Sequence, residues 1–246
     1  MDAPIFLFTD FGSADIYVGQ VKAVLLAHAP ECPVIDLLND APSFDVEASA
    51  HLLAALAAGL PMRSVVLGVV DPGVGSARGA VALEADGRWF VGPDNGLFSV
   101  VSARSQSTAS FAIDWLPPPA SASFHGRDLF APAAAAIASG DIDMQTRSRL
   151  HGLDVHLDSA DLSRIIYIDH YGNLLTGLCA SVLDKRAIVR FKDRVLTHAR
   201  VFSDMPVGAL FWYENSIGLV EIAANQASAS RVLRADIGDR TDVESR

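Results

Sequence analysis

The sequence predicts an α/β protein in two parts. The first is an N-terminal domain, residues 1–157, with a mostly parallel sheet flanked by helices; the second is a smaller C-terminal all-β, barrel-like domain, residues 158–246. Three observations carry that expectation. Val65-Val66-Leu67-Gly68-Val69-Val70 is an unbroken apolar run, the pattern of a strand buried on both faces. Such runs alternate with helix-spaced apolar residues through the first half, which argues for a parallel sheet with helical crossovers. Beyond about residue 158 helical periodicity stops, and short β-like runs separated by turn signals follow, as in a small barrel or sandwich.

In chain order, Ile5–Thr9 is the first strand, ending in Thr9-Asp10-Phe11-Gly12 with Asp15 close behind. Tyr17–Ala29 carries Val18, Val21, Val24 and Leu25 at helical spacing, and Pro30 ends it. Val34–Leu38 is a second strand and Asn39–Ser43 a loop. Phe44–Gly59 is an alanine-rich helix, with Ser43 the expected N-cap. The Val65–Val70 strand stops at Asp71-Pro72, and Gly73, Gly75, Ser76 and Ala77 lead to Arg78. Gly79–Glu84 and Arg88–Val91 flank an Asp86-Gly87 turn, the signal of a hairpin. Gly92-Pro93-Asp94-Asn95-Gly96 is a dense turn cluster, and Leu97–Val101 begins a short helix. Trp115–Ser123, with Pro117-Pro118-Pro119, reads as an irregular loop. Phe124-His125-Gly126-Arg127-Asp128 then precedes a helix over Leu129–Ser139. The later strand candidates are Ile165–Ile168, Leu174–Thr176, Ala187–Phe191, Val195–Val201, Ala209–Tyr213, Leu219–Ile222 and Arg231–Leu233. The charged tail from Asp236 reads as frayed.

Composition excludes several function classes. The net charge is −10 with Lys and Arg scattered, so binding to nucleic acid through phosphate neutralisation is not expected. No apolar stretch approaches the ~20 residues that span a bilayer, and MDAPIFLFTDFG lacks the basic start of a signal peptide. Cys32 and Cys179 stand alone, without a CxxC pair, which makes a reducing cytoplasm the expected location.

The motifs narrow the chemistry. Gly73, Gly75 and Gly79 miss the GxGxxG spacing and no Lys-Ser/Thr pair follows, so neither a dinucleotide nor a Walker loop is indicated. Ser76 is misplaced for a GxSxG elbow, which disfavours serine nucleophilic chemistry. The seven histidines are dispersed without HxH or HExxH, so no metal is expected, and His51, His151, His156 and His198 read as surface residues. Asp10, Asp71 and Asp94 each fall at or just beyond a strand end, where open α/β sheets place ligands. With Arg78 and the FHGRD segment they outline a polar cleft. Simpler roles stand beside these: Asp94-Asn95 as turn builders, Arg127-Asp128 as a structural ion pair or helix cap, and Tyr17 and Phe44 as core aromatics.

TDFG followed by Asp15, then VDPGVGSAR, GPDNG, FHGRDLFAP, IDHYGNLLTG and NSIGLVEIAANQASA, resemble the S-adenosyl-L-methionine hydroxide adenosyltransferases, relatives of the fluorinating and chlorinating enzymes. The match runs in order along nearly the whole chain. It implies hydrolysis of S-adenosyl-L-methionine to adenosine and L-methionine by a catalytic set falling on Asp71, Arg78 and His125. The sulfonium leaves as a neutral thioether, so the task is to place and activate a water in line behind C5′. Arg78 would stabilise hydroxide character, His125 would orient or deprotonate the water, and Asp71 would fix both. No cofactor is implied.

The resemblance also places the ribose diol on Asp10 and the methionine ammonium against Asp15, with Phe44 as an aromatic facing substrate. Asp169, Tyr171 and Asn173 would hold the methionine end and the adenine, Ser216 another methionine contact, and Asn225 and Ala227 would border the adenine. A homotrimer is implied, with substrate between the N-terminal domain of one subunit and the C-terminal domain of its neighbour. Two departures bear on specificity. Ile217 stands where relatives often have Arg, so a contact of that side chain is lost, though a backbone contact could persist. Gly126 stands where halogenating relatives carry Ser, and those relatives lack the Asp of VDPG that is Asp71 here; both features point to water as nucleophile. The alternatives are a 5′-halogenase and a non-catalytic adenosine or S-adenosyl-L-methionine binding protein.

Overall fold

The computed structural model describes residues 2–115 and 121–244; the proline run at 117–119 lies outside them. Internal contacts divide the chain after Ser159 into two compact units.

The first unit is built on one six-stranded sheet. Its strands are β1 (Ile5–Thr9), β2 (Val34–Leu38), β3 (Val65–Val69), β4 (Ala80–Ala85), β5 (Arg88–Pro93) and β6 (Thr108–Ala112), in the order β2-β1-β3-β5-β4-β6. The first four in that order are parallel; β4 and β6 join antiparallel. Helices α1 (Ile16–His28), α2 (Val46–Ala57), α3 (Ser99–Arg104) and α4 (Ala131–Ser139) cover it. Ile5, Leu7, Val65, Leu67 and Val91 share one core with Val21 and Leu25 of α1 and the alanines of α4. The alternate residues Phe6, Phe8, Val66 and Phe90 are equally buried. On their side Phe90 meets Phe98, just ahead of α3, at 5.9 Å, and α3 packs on α2. Both faces of β1 and β3 are therefore covered, which is why their runs are apolar throughout.

Because β1 lies between β2 and β3, the chain leaves β1 toward one edge and returns across it to β3. The carboxyl ends of β1 and β3 flank that reversal, the crevice where open α/β sheets hold ligands. Asp10 follows one strand and Asp71 the other.

Several local expectations are corrected. Asp45, not Ser43, caps α2, its Oδ1 accepting the Ala48 amide at 2.9 Å. Phe44 precedes that helix and is 77% exposed, and Tyr17 is exposed too, so neither is a core aromatic. His51 is buried within α2, and His198 is half-buried with its ring 4.7 Å from that of Trp212. The helix expected from Leu129 is preceded by a single π turn, Gly126–Phe130, with α4 starting at Ala131. The short strand β6 is an addition to the sequence expectation; it pairs with β4 and, through an isolated bridge from Phe111 to Arg149, with the chain beyond α4.

The second unit holds β7 (Leu162–Ile168), β8 (Leu174–Cys179), β9 (Ile188–Phe191), β10 (Arg194–Leu196), β11 (Leu210–Glu214), β12 (Leu219–Ala224) and β13 (Asp242–Glu244). They form two antiparallel sheets, β11-β12-β8-β7 and β10-β9-β13, with an isolated bridge between His198 and Trp212. Trp212 is fully buried among Ile165, Val189, Phe191 and Ile222, and its Nε1–H donates to the Ala187 carbonyl at 3.1 Å. Arg231–Leu233 is not a strand but lies in a short helix, α5 (Ala229–Leu233), started by Ser228, whose Oγ accepts the Arg231 amide at 3.3 Å. Nor is the tail wholly frayed: β13 pairs with β9, and Arg190 grips Glu244 through two bonds of 2.5 and 3.0 Å. Among the described residues, no helix is long and apolar enough to cross a membrane.

Candidate active site

The loop after β3 brings a cation back to the carboxylate that starts it. Arg78 Nε lies 3.0 Å from both oxygens of Asp71, and its Nη2 donates to Asp71 Oδ2 as well. Both side chains are nearly out of solvent, Arg78 at 10% and Asp71 at 5% exposure. Arg78 Nη1 donates to the Gly79 carbonyl at 3.2 Å, and the guanidinium carbon stands 5.0 Å from the centre of the Phe130 ring. The fork is held on every side by groups suited to it.

The ring of His125 closes the set, with its Nδ1 3.1 Å from Arg78 Nη2. A guanidinium has only donors, so Nδ1 accepts and the proton of the neutral ring sits on Nε2. Burial first, and then the Arg78 charge, push the His125 pKa below the ordinary histidine value, with Asp71 and Asp128 acting the other way. The neutral ring is therefore favoured. Arg127 and Asp128, next in sequence, form a two-bond ion pair of 2.6 and 3.0 Å, and Asp128 also accepts the Ser121 amide at 2.7 Å. They hold the turn that presents His125.

Asn95 is a contributor that sequence reasoning did not single out for this role. Its Nδ2–H donates to the Val70 carbonyl at 2.8 Å, fixing the residue before Asp71, while its Oδ1 accepts the Leu97 amide at 3.2 Å. Asp94 instead accepts the Asp154 amide at 2.9 Å. The turn cluster thus braces the carboxyl end of β3. An Asn after a Pro-Asp turn was the only sequence signal for it.

Asp71 and His125 open onto a cavity of about 430 Å³, which Asp10, Asp15 and Phe44 also line. Arg78 does not line it and stands behind the other two. The Thr9 hydroxyl donates to Asn39 Oδ1 at 3.0 Å, securing the end of β1 before Asp10. Burial raises the Asp10 pKa, the nearby Asp71 adds to this, and the Phe44 amide, donating to Oδ2 at 3.2 Å, opposes it. Phe44 makes that bond with φ of 64°, a left-handed conformation that strains an aromatic residue by ~1–3 kcal/mol. Asp15 caps α1, accepting the Ile16 amide at 2.6 Å. Phe11, Tyr17 and Phe124, packed tilted or edge-on with centroids 5.4 to 6.1 Å apart, form an aromatic wall. Gly126 is tucked beneath it: a Cβ there would stand 2.9 Å from Phe11 Cζ.

The second unit has its own cavity, about 730 Å³, lined by Asp169, Tyr171, Asn173, Asn225 and Ala227 from the expected residues. Phe202 and Tyr213, not anticipated from the sequence, line it too, with ring centres 5.3 Å apart. Asp169 accepts both the amide and the side-chain N–H of Asn173, at 2.8 and 3.0 Å. Asn225 Nδ2–H donates to the Met205 carbonyl at 2.6 Å. Ser216 is exposed on the turn between β11 and β12 and does not line the cavity. The amide of Ile217 is engaged inside that turn, donating to Asn215 Oδ1 at 3.1 Å. Among the described residues, no group of three His, Cys, Asp or Glu side chains is placed to hold a metal ion.

Comparison with known proteins supplies the chemistry's context. The SAM hydroxide adenosyltransferase N-terminal domain model matches residues 5–147 and the C-terminal domain model matches residues 163–242. The (R)-S-adenosyl-L-methionine hydrolase of Thermus thermophilus is 38% identical over 94% of this chain and 95% of its own length. That of Salinispora arenicola is 36% identical over 96% and 95%. A fluorinase of an Actinoplanes species is more distant, 24% identical over 91% and 92%. An uncharacterized conserved protein from Thermotoga maritima superposes with a TM-score of 0.88, at 30% identity over 98% of this chain and all of the other.

Proposed function

Because this chain belongs to the SAM hydroxide adenosyltransferase family, we propose that it hydrolyses S-adenosyl-L-methionine at C5′ to adenosine and L-methionine, with Asp71, Arg78 and His125 as its water site. The observation that carries the site assignment is the enclosed Asp71–Arg78–His125 set, which presents a carboxylate and an imidazole, but not the guanidinium, to the cavity. Asp71 locks Arg78, and Arg78 fixes the His125 tautomer. The Nε2–H then donates to the water oxygen, leaving the opposite lone pair free to face C5′. As the C–O bond forms, the C5′–S bond breaks with its electron pair on sulfur, and the oxygen sheds a proton to solvent water. The thioether departs neutral, so no cofactor or metal is required for the displacement.

Asp10 supports the ribose diol and Asp15 the methionine ammonium, with Phe44 against the substrate. Asp169, Tyr171, Asn173, Ser216, Asn225 and Ala227 serve the methionine and adenine ends from the C-terminal unit of a neighbouring subunit, in a homotrimer. Supporting this, Phe44 and Tyr171 sit at the two cavities with 77% and 76% of their surfaces uncovered, apolar area that a neighbouring subunit would bury. Two unpaired thiols fit a reducing cytoplasm.

Incubation with S-adenosyl-L-methionine in oxygen-labelled water is expected to put the label on adenosine O5′. The substrate is best supplied as separate sulfonium epimers, since the relatives' name specifies R. Label-free adenosine, or binding without turnover, would defeat the proposal. A halogenase would instead give 5′-halo-adenosine in the presence of halide. The close approach of Phe11 to Gly126 opposes that reading, because a hydroxyl-bearing side chain at the position would require the Phe11 ring to shift.

The imidazole also sets a pH dependence. Protonated His125 would turn a donor toward the donors of Arg78, and the contact would be lost. Since its pKa is depressed, the neutral working form persists to lower pH than for a free histidine. The acid limb of kcat/KM is therefore expected below pH 6.5. A midpoint at or above that value would contradict the arrangement.

A further inference from the structure

A buried carboxylate in the second unit has no part in the water site. Glu221, on β12, is 5% exposed and holds two groups at once. Its Oε1 accepts the Tyr213 hydroxyl at 2.5 Å and its Oε2 accepts Asn215 Nδ2–H at 2.9 Å. Tyr213 is a wall of the larger cavity, packed against Phe202. Asn215 begins the turn that carries Ser216, and its Oδ1 accepts the amides of Ile217 and Leu219 at 3.1 and 2.9 Å. Each oxygen of one carboxylate therefore fixes a different part of this half-site: the ring wall on one side, the serine-bearing turn on the other.

We propose that Glu221 is a positioning residue for substrate binding, setting the Tyr213 wall and the Asn215–Leu219 turn in register with each other. The inference rests on reading this cavity as the methionine and adenine half-site. Burial pushes the Glu221 carboxyl up, with Asp169 adding to this and its two hydrogen bonds opposing it. The Tyr213 phenol is likewise pushed up, by burial first and then by Glu221, and stays a donor. The bond pattern is directional. Asn215 gives its N–H to Glu221 and its oxygen to the turn, so Asn215→Asp sets like against like, and Glu221→Gln must do the same or reverse the Tyr213 bond.

That directionality supplies the test. Glu221→Gln turns an amide N–H₂ toward Asn215 Nδ2–H₂, or flips, reverses the Tyr213 bond and removes the charge that both donors face. Asn215→Asp sets a carboxylate oxygen against Glu221 Oε2. The double variant N215D/E221Q restores one donor and one acceptor, with the pair's direction reversed and the turn amides still accepted. Each single variant is expected to raise KM for S-adenosyl-L-methionine by about tenfold, from one buried hydrogen bond lost. Saturated kcat should stay within about threefold, because the water site lies in the other unit, and the double variant should return KM to within about threefold of wild type. Tyr213→Phe, which removes one bond and creates no like-against-like pair, keeps the test open if a single variant does not fold; it should raise KM about threefold.

Calorimetric Kd for S-adenosyl-L-methionine, measured on the intact protein, should follow the same pattern. Absence of wild-type turnover would overturn the proposed function alone, since Kd would still report on Glu221. Unchanged KM and Kd in the single variants, or a double variant no better than the worse single one, would overturn the positioning role.

Discussion

Replacing His125 with alanine is expected to lower kcat by ~10²–10⁴-fold, the usual contribution of a side chain that handles a reacting proton or its water. KM should hardly move, because the residues proposed for the diol and the methionine lie elsewhere. The bond from Arg78 to Nδ1 makes a finer statement possible. If the ring works by donating Nε2–H, then His125→Gln, whose amide can donate from a similar distance, should recover part of the lost rate. A ring that takes the proton leaves both variants equally poor. Steady-state release of adenosine across wild type, H125A and H125Q separates the two. Wild-type turnover in H125A would remove His125 from the site altogether.

Asp71→Ala is expected to abolish turnover and also to weaken the fold. It leaves the Arg78 guanidinium, 10% exposed, without its counter-charge, and stripping one partner from a buried pair typically costs ~3–5 kcal/mol. The loss should appear as a lower denaturant midpoint at unchanged slope. Removing both charges in D71A/R78M should recover most of the stability and none of the activity, since a buried pair replaced by apolar groups is often near neutral. A loss below ~1 kcal/mol in D71A, the level of a solvent-exposed pair, would show that the pair is far better hydrated than its burial implies.

What the sequence made legible follows from where the physics is local. β1 and β3 are sandwiched between helices, so their apolar runs mark them without reference to any partner, and Asp10 and Asp71 follow directly as strand-end carboxylates. The harder features depend on distant contacts. β6 is a five-residue edge strand whose identity lies in β4, and β13 exists through β9 and the Arg190–Glu244 grip. Arg231–Leu233 has the apolar content of a strand, but the Ser228 cap four residues from Val232 starts a helix instead. Motif resemblance reached most of the residues that line the two cavities, though Ser216 and Arg78 do not line them. It covered the segments that hold Asn95 and Glu221 without assigning either a role in the site, because their part lies in which backbone or side-chain atom each one holds. Phe202 and Tyr213 belong to none of the motifs that carry the resemblance, and only the fold brings them together at the cavity.

Asp71 and Arg78 are seven residues apart, whereas His125 is a further 47 residues along the chain. Closing so short a loop carries little entropy loss, and both members of the pair lie on the single segment that links β3 to β4. The histidine arrives only when α4 docks on the sheet and brings Phe130 under the guanidinium. The Asp71–Arg78 contact is thus local in sequence, and the contact of His125 with Arg78 is long-range. Displacing α4 would therefore disturb the His125 contact before the Asp71–Arg78 pair, which would make turnover a stricter report on native packing than secondary structure is.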